Sequence, residues 1–258
     1  MKVVILAGGM GTRLTEETAL RPKPMVEIGG KPMLWHIMKI YEQYGYNDFI
    51  ICLGYKGNFI KEYFINYYLY SSDLTVQLAD NKLDIHYTST ESFKVTLVDT
   101  GPETNTAGRI KRIRSYVGNE TFMLTYGDGV ADINIGELVK FHKASGKYAT
   151  LTSIRMPGRF GTIKTDKNGV VMDFKEKYLG DEVWINGGFF VLEPRIFDYL
   201  EGDMDNIQWE KKPLIDIAND HQLVAYKHSG FWKCMDALRD KIELEELWQS
   251  GKAHWKIW

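Results

Sequence analysis

MKVVILAGGMGTRLTEETALRPKP, residues 1–24, is the stretch whose reading decides the fold. Val3 to Leu6 is a short, largely β-branched run of the kind that fills a buried parallel strand, and it breaks directly into Gly8, Gly9 and Gly11. Glycines let the chain turn sharply and let a ligand approach main-chain amides, which is how glycine-rich loops hold phosphates without side chains. Arg13 and Lys23 follow with fixed positive charges. Amides plus two cations describe a site for a polyphosphate over Gly8, Gly9 and Gly11.

The spacing excludes two common alternatives. G-x-G-x-x-G fails because its third glycine position holds Leu14, and the ATP-type P-loop fails because its second glycine falls on Arg13 with no Gly-Lys-Ser/Thr following. Glu27 lies at the distance expected of a ribose-binding acid, but within a glycine-rich turn. A tight structural turn is the plain alternative for any glycine-rich strand end. The pattern that fits is L-A-G-G-x-G-T-R-L followed by Pro22-Lys23-Pro24, and on it the chain resembles the sugar-phosphate nucleotidyltransferases, the family that makes nucleotide sugars.

Downstream, buried strand patterns alternate with helical ones. Leu34, Ile37, Met38, Tyr41 and Tyr44 recur at helical spacing after Pro32. Asp48 to Leu53 reads as a strand, Asn58 as the cap of a helix running to Tyr70, Val95 to Asp99 as a strand, Thr106 to Val117 as a helix and Phe122 to Tyr126 as a strand. Leu74 to Tyr87 alternates around Asp80-Asn81-Lys82 and predicts a projecting hairpin. The second half is more antiparallel: Ala149 to Ile154, Gly161 to Thr165 and Val170 to Phe174 joined by an Asp-Lys-Asn-Gly turn, then Trp184 to Leu192 and Leu223 to Tyr226, with a last helix from Ala237 to Gln249. These elements predict a Rossmann-like, three-layer α/β fold, with a mostly parallel (mixed) sheet, helices on both faces, a β-hairpin and small antiparallel extensions. A single domain, 1–258, is expected, with a nucleotide-binding half over 1–130 and a sugar-binding half over 131–258. Ligands in such sheets gather at the carboxyl ends of the strands.

Composition narrows the partners. Across 258 residues, 44% are hydrophobic and 26% charged, and a net charge of -2 offers no basic footprint for nucleic acid. No run approaches the roughly 20 apolar residues of a membrane span, and Val3 to Ala7 is too short for a secretory leader. Cys52 and Cys234, the two cysteines, are too few for a disulfide framework and read as reduced, buried thiols of a cytoplasmic protein. The six histidines are scattered, and His36 reads as a packed helix residue.

Two acids stand out. Asp128, in Tyr-Gly-Asp-Gly, sits at a strand end where a carboxylate is accessible to a divalent metal that also touches phosphate oxygens, though Asp beside Gly equally suits a turn cap. Asp236 immediately precedes the last helix and, taken alone, reads more readily as its N-cap than as a metal ligand. The resemblance implies that both hold a catalytic Mg2+, with Arg13 and Lys23 beside the reacting phosphates. It also implies nucleotide contacts from Leu6, Ala7, Gly8, Gly9, Met10, Gly11 and Thr12, with Thr104, Arg109 and Gly127. For the sugar phosphate it implies Gly161 in the Pro157–Gly161 loop, Glu176 and Lys177, and Asn186, Gly187 and Gly188. Tyr178 departs from the family's Glu-Lys-Pro. Within the family the likeness is greatest to the branch using CTP and glucose 1-phosphate, carried by PKPMVEIGGKP, TLVDTG, TYGDGVAD, INGGFFVL and LRDK. That branch implies CDP-glucose for surface polysaccharide and a homo-oligomer, a hexamer, for which the hairpin and Trp248, Trp255 and Trp258 are expected contact surfaces. UTP or dTTP as donor, and a catalytically silent nucleotide-sugar binder, are the alternatives. No Ser/His/Asp set appears, and none is needed: a sugar phosphate has its second pKa near 6 and is largely ionised at neutral pH.

Overall fold

The computed structural model describes residues 1–11, 14–156, 162–165, 171–175 and 183–258. Seven strands form the central sheet: β1 (Val3–Leu6), β2 (Asp48–Leu53), β3 (Lys94–Asp99), β4 (Phe122–Tyr126), β5 (Ala149–Met156), β6 (Val183–Leu192) and β7 (Leu223–His228). Their order across the sheet is β7-β5-β6-β4-β1-β2-β3. Pairings of β1 with β2 and β4, β2 with β3, and β5 with β7 are parallel; β6 runs antiparallel to β4 and β5.

Alternation along β1 explains the three layers. Val3 and Ile5 point to one face, where Phe49, Ile51 and Met123 pack against helix α1 (Met33–Glu42). Val4 and Leu6 point to the other, with Ile50, Cys52 and Leu124 against Ile110 and Ile217. All four β1 side chains are buried, as a central parallel strand requires. Removing one such side chain costs about 2–5 kcal/mol once the cavity is counted.

β1 is held at its carboxyl end from both sides. Ala7 N donates to Cys52 O (3.0 Å), Gly127 N to Leu6 O (3.0 Å) and Tyr55 N to Gly8 O (3.1 Å). The glycine-rich turn therefore leaves the sheet between the ends of β2 and β4, over the carboxyl edge of the parallel half.

Several elements differ from expectation. The helix over Gly57–Tyr70 (α2) begins at Lys56, whose φ of 50° is left-handed, so Asn58 lies inside the first turn and caps nothing. The long helix expected from Thr106 breaks at Ile113 into α3 (Thr106–Arg112) and a turn over Arg114–Val117. Cys234 is only partly buried, whereas Cys52 is fully so and burial pushes its thiol up to about 12. Of the tail tryptophans Trp255 is fully buried while Trp248 and Trp258 are partly so, and with Trp35 the three surround His36. There the His36 imidazole faces Ile28 O (2.8 Å) and accepts from Trp255 Nε1 (3.3 Å), and burial lowers its pKa to about 4. The hairpin forms as expected, Ser72–Gln77 against Lys82–Thr88, outside the main sheet, with Leu74, Val76, Leu83 and Ile85 exposed. Asp166 to Gly169 lies outside the described residues, but the strands beside it, Thr162–Thr165 and Val171–Lys175, pair antiparallel.

Candidate functional site

A cleft of about 290 Å³ opens over the carboxyl ends of β1 and β4. Its floor is the turn Leu6, Ala7, Gly8, Gly9 and Gly11; its walls include Lys23, Thr104, Arg109, Gly127, Asp128 and Asp236. The glycines have different reasons. A Cβ on Gly8 would lie 2.2 Å from Arg109 Nη1, and one on Gly127 would lie 2.9 Å from Leu6 O and 3.0 Å from Pro24. A Cβ on Gly9 would meet nothing within 4 Å, so its open space belongs to the cleft.

Asp128 and Asp236 meet through a small ladder. Trp232–Cys234 pairs antiparallel with Gly129–Ala131, and Met235 N donates to Asp128 O (2.8 Å), which extends the pairing until the two aspartates stand side by side. Asp236 does not cap the last helix, α4 (Leu238–Gln249): Ala237 occupies the N-cap and the Asp240 carboxylate accepts from Asp236 N (3.0 Å) and Ala237 N (2.8 Å). That division of labour leaves the Asp236 carboxylate at the cleft wall.

Between the two carboxylates lies Lys23. Its Nζ is 2.7 Å from Asp128 Oδ2 and 2.6 Å from Asp236 Oδ1, at the start of a 3-10 turn, Lys23–Met25, flanked by Pro22. Burial alone would depress the ammonium; the fields and hydrogen bonds of Asp128 and Asp236 outweigh it and raise the pKa above the ordinary lysine value. Each aspartate side chain keeps about a third of its surface exposed, 32% and 30%. Two accessible carboxylates converging on one cation fit a divalent metal, since magnesium takes one or two carboxylates and fills its shell with phosphate and water. Among the described residues no group of three or more His, Cys, Asp or Glu side chains offers an alternative, all-protein shell.

Arg109 lines the cleft, but its terminal nitrogens are engaged with protein. Nη1 donates to Leu53 O (2.9 Å), Thr100 Oγ1 (2.7 Å) and Gly101 O (2.8 Å), and Nη2 to Gly8 O (2.9 Å). The guanidinium thus ties together the ends of β1, β2 and β3 beneath the glycine turn. Thr104 is fixed by Arg112, whose Nη1 donates to its Oγ1 (2.9 Å). Met10 is half exposed and stands outside the cleft wall.

The glycines of the Asn186-Gly187-Gly188 run make room for protein. Gly188 has φ of +81°, and a Cβ there would lie 2.5 Å from the Tyr126 ring; one on Gly187 would lie 2.8 Å from Ile154. Asn186 Nδ2 donates to Tyr126 Oη (3.2 Å), so this strand joins the cleft through Tyr126. Tyr126 in turn donates to Glu210, which also accepts from Thr106 Oγ1 (3.1 Å), and burial with the Glu210 charge raises the phenol's pKa. Sequence reasoning missed Tyr126 and Glu210. Position beside Gly127-Asp128 could have found the first; nothing in Gln208-Trp209-Glu210 marks the second. Thr12, Arg13, Gly161, Glu176, Lys177 and Tyr178 lie outside the described residues.

A family model described as nucleotidyl transferase matches residues 2–237. The chain is 55% identical over 259 residues to glucose-1-phosphate cytidylyltransferase of Salmonella typhimurium, and again 55% identical to that of Salmonella typhi, covering 100% of both chains in each case. The crystal structure of a UDP-glucose pyrophosphorylase complexed with UDP-glucose superposes with a TM-score of 0.67, covering 97% of this chain and 98% of the other; at 19% identity it speaks to fold alone. Among the described residues, no helix is long and apolar enough to cross a membrane.

Proposed function

The chain belongs to the nucleotidyl transferase family, and on that premise we propose that it transfers CMP from CTP to α-D-glucose 1-phosphate, giving CDP-glucose and pyrophosphate. The observation that carries the chemistry is the meeting of Asp128 and Asp236 on one cation position in the wall of a glycine-floored cleft. The choice of CTP and glucose 1-phosphate rests on the full-length relatives at 55% identity.

An oxygen of the sugar phosphate attacks the α-phosphorus of the donor; the new P–O bond forms as the bond to the β-phosphate oxygen breaks, and pyrophosphate leaves with the electron pair. The attacking oxygen is already ionised at neutral pH, so no general base is required. The protein contributes in-line positioning and charge compensation. We assign the donor to Leu6, Ala7, Gly8, Gly9, Met10, Gly11 and Thr12, with Thr104, Gly127 and the strand ends held by Arg109. Lys23 and Arg13 compensate charge on the phosphates. Glu176, Lys177, Asn186, Gly187, Gly188 and Gly161 are assigned to the acceptor, so residues 1–130 hold mainly the donor and 131–258 mainly the acceptor. A divalent cation on Asp128 and Asp236, read as Mg2+, would supply neutralisation of phosphate charge and a common template for both substrates. The enzyme is read as cytoplasmic and as a homo-oligomer, a hexamer, with the exposed apolar face of the 72–88 hairpin supporting assembly.

The test is pyrophosphate release with each of four nucleoside triphosphates against several hexose 1-phosphates. CTP with glucose 1-phosphate should give the highest kcat/KM. Equal or faster turnover with UTP or dTTP would refute the base assignment, and tight CDP-glucose binding without turnover in either direction would refute catalysis.

A further inference from the structure

We propose that Lys23 is an internal placeholder for the metal: without nucleotide, its ammonium occupies the position between Asp128 and Asp236 that a divalent cation takes, and metal entry requires the ammonium to swing toward the donor's phosphates. The inference rests on the assignment of those two aspartates as the metal carboxylates. Its basis is geometric. Nζ lies 2.7 Å from Asp128 Oδ2 and 2.6 Å from Asp236 Oδ1, so the ammonium already fills the space between the two carboxylates that would hold a divalent cation. Two cations cannot share that space.

The surroundings allow the exchange. The Lys23 backbone is fixed, Met25 N donating to Pro22 O (2.8 Å) and Val26 N to Lys23 O (3.1 Å), so only the side chain can move. Its alternative partner's place lies next to it: Gly11 borders Lys23, a Cβ there falling 3.2 Å from Lys23 Cβ, and the space beside Gly9 is open. The aspartate side chains are more exposed than that of Lys23, 32% and 30% against 11%, so a cation has access to the pair from the cleft.

Two consequences follow. The carboxylate pair is never left uncompensated, and metal alone must compete with a tethered internal cation. If the Lys23-in arrangement is favoured about 10- to 100-fold, metal affinity in the absence of nucleotide is weakened by the same factor. Once a triphosphate offers Lys23 another partner, metal and nucleotide bind with positive, reciprocal coupling.

The experiment is titration with Mn2+, followed by the electron paramagnetic resonance signal of the free ion, on the full chain without nucleotide, for wild type, Lys23→Gln and Lys23→Met. Salt of about 0.5 M shortens electrostatic range to a few ångströms, separating direct occupation from a diffuse charge effect. Both variants should bind Mn2+ at least about tenfold tighter than wild type at high salt. Equal or weaker binding, or a gain that vanishes at high salt, overturns the proposal. Where a variant is destabilised by loss of the Lys23 charge, a Mn2+-induced rise in melting temperature larger than that of wild type supports the placeholder, and an equal rise overturns it. Asp128→Asn and Asp236→Asn tell the two failures apart. If they retain wild-type Mn2+ binding, the metal assignment falls and the placeholder with it; if they lose it while the Lys23 variants bind no tighter, the placeholder alone is refuted.

Discussion

Arg109→Lys separates a clamp from a ligand contact. In the fold, Arg109 is 3% exposed, and its guanidinium joins Gly8 O, Leu53 O, Thr100 Oγ1 and Gly101 O at 2.7–2.9 Å, four acceptors on the ends of three strands. Burial lowers its pKa from the usual arginine value, so the cost of keeping the charge inside is met by these bonds. A lysine ammonium is a point charge on a shorter reach and cannot span both Gly8 O and Gly101 O. Losing two charged hydrogen bonds at about 1.5–3 kcal/mol each gives a destabilisation of about 3–6 kcal/mol. For a chain of 258 residues, at about 2 °C per kcal/mol, that is a fall in melting temperature of about 6–12 °C. Calorimetry or thermal unfolding by circular dichroism measures it, alongside the dissociation constant for CTP. The clamp predicts that the stability loss dominates. An unchanged melting temperature with CTP binding weakened more than tenfold would refute it and make the guanidinium a direct nucleotide contact.

Asp128→Asn and Asp236→Asn should each slow pyrophosphate release by about 100-fold or more, as removal of a preorganised charge-stabilising group does; rates within a factor of a few of wild type would refute the metal role. Asp240→Ala removes the acceptor for two amides at the start of α4 and should cost about 1–2 kcal/mol in urea unfolding, with reduced kcat because Asp236 loses its aim. Gly127→Ala puts a Cβ 2.9 Å from Leu6 O and 3.0 Å from Pro24, and overpacking of this kind costs about 1–3 kcal/mol, read as a lower urea midpoint. His36 titrates near 6.5 when unfolded and about 4 when folded, so the unfolded chain binds the proton first as pH falls. Its share of stability is intact above pH 6.5 and is lost between about 6.5 and 4 at about 1.4 kcal/mol per pH unit, a slope that His36→Leu should remove from unfolding measured across that window.

Much of this molecule is legible in its sequence because the relevant physics is local. A β-branched run of Val3 to Leu6 that is buried on both faces can only be a central strand, and three glycines directly after it can only leave the sheet as a turn at its carboxyl end. The alternation of strands and helices, and with it the three layers, follows from the same periodicities. So does the projecting hairpin around Asp80-Asn81-Lys82.

What remained open depended on contacts between residues far apart in the chain, which no local pattern encodes. Taken alone, Asp128 suited a turn cap as well as a metal, and Asp236 suited a helix cap better; the pairing of Trp232–Cys234 with Gly129–Ala131 is what sets them side by side, and Asp240 is what relieves Asp236 of the cap. The tail tryptophans read as contact surfaces, and no local pattern shows that Trp255 is buried and that all three pack around His36 from the other end of the chain. Lys23 read as a phosphate ligand from its charge, but its partners in the fold are the two carboxylates. The sequence by itself determined that a glycine-rich turn and cations stand at the end of a buried strand; only the tertiary structure decided which acids face them, because a charge's partner is chosen by the packing that brings it within reach.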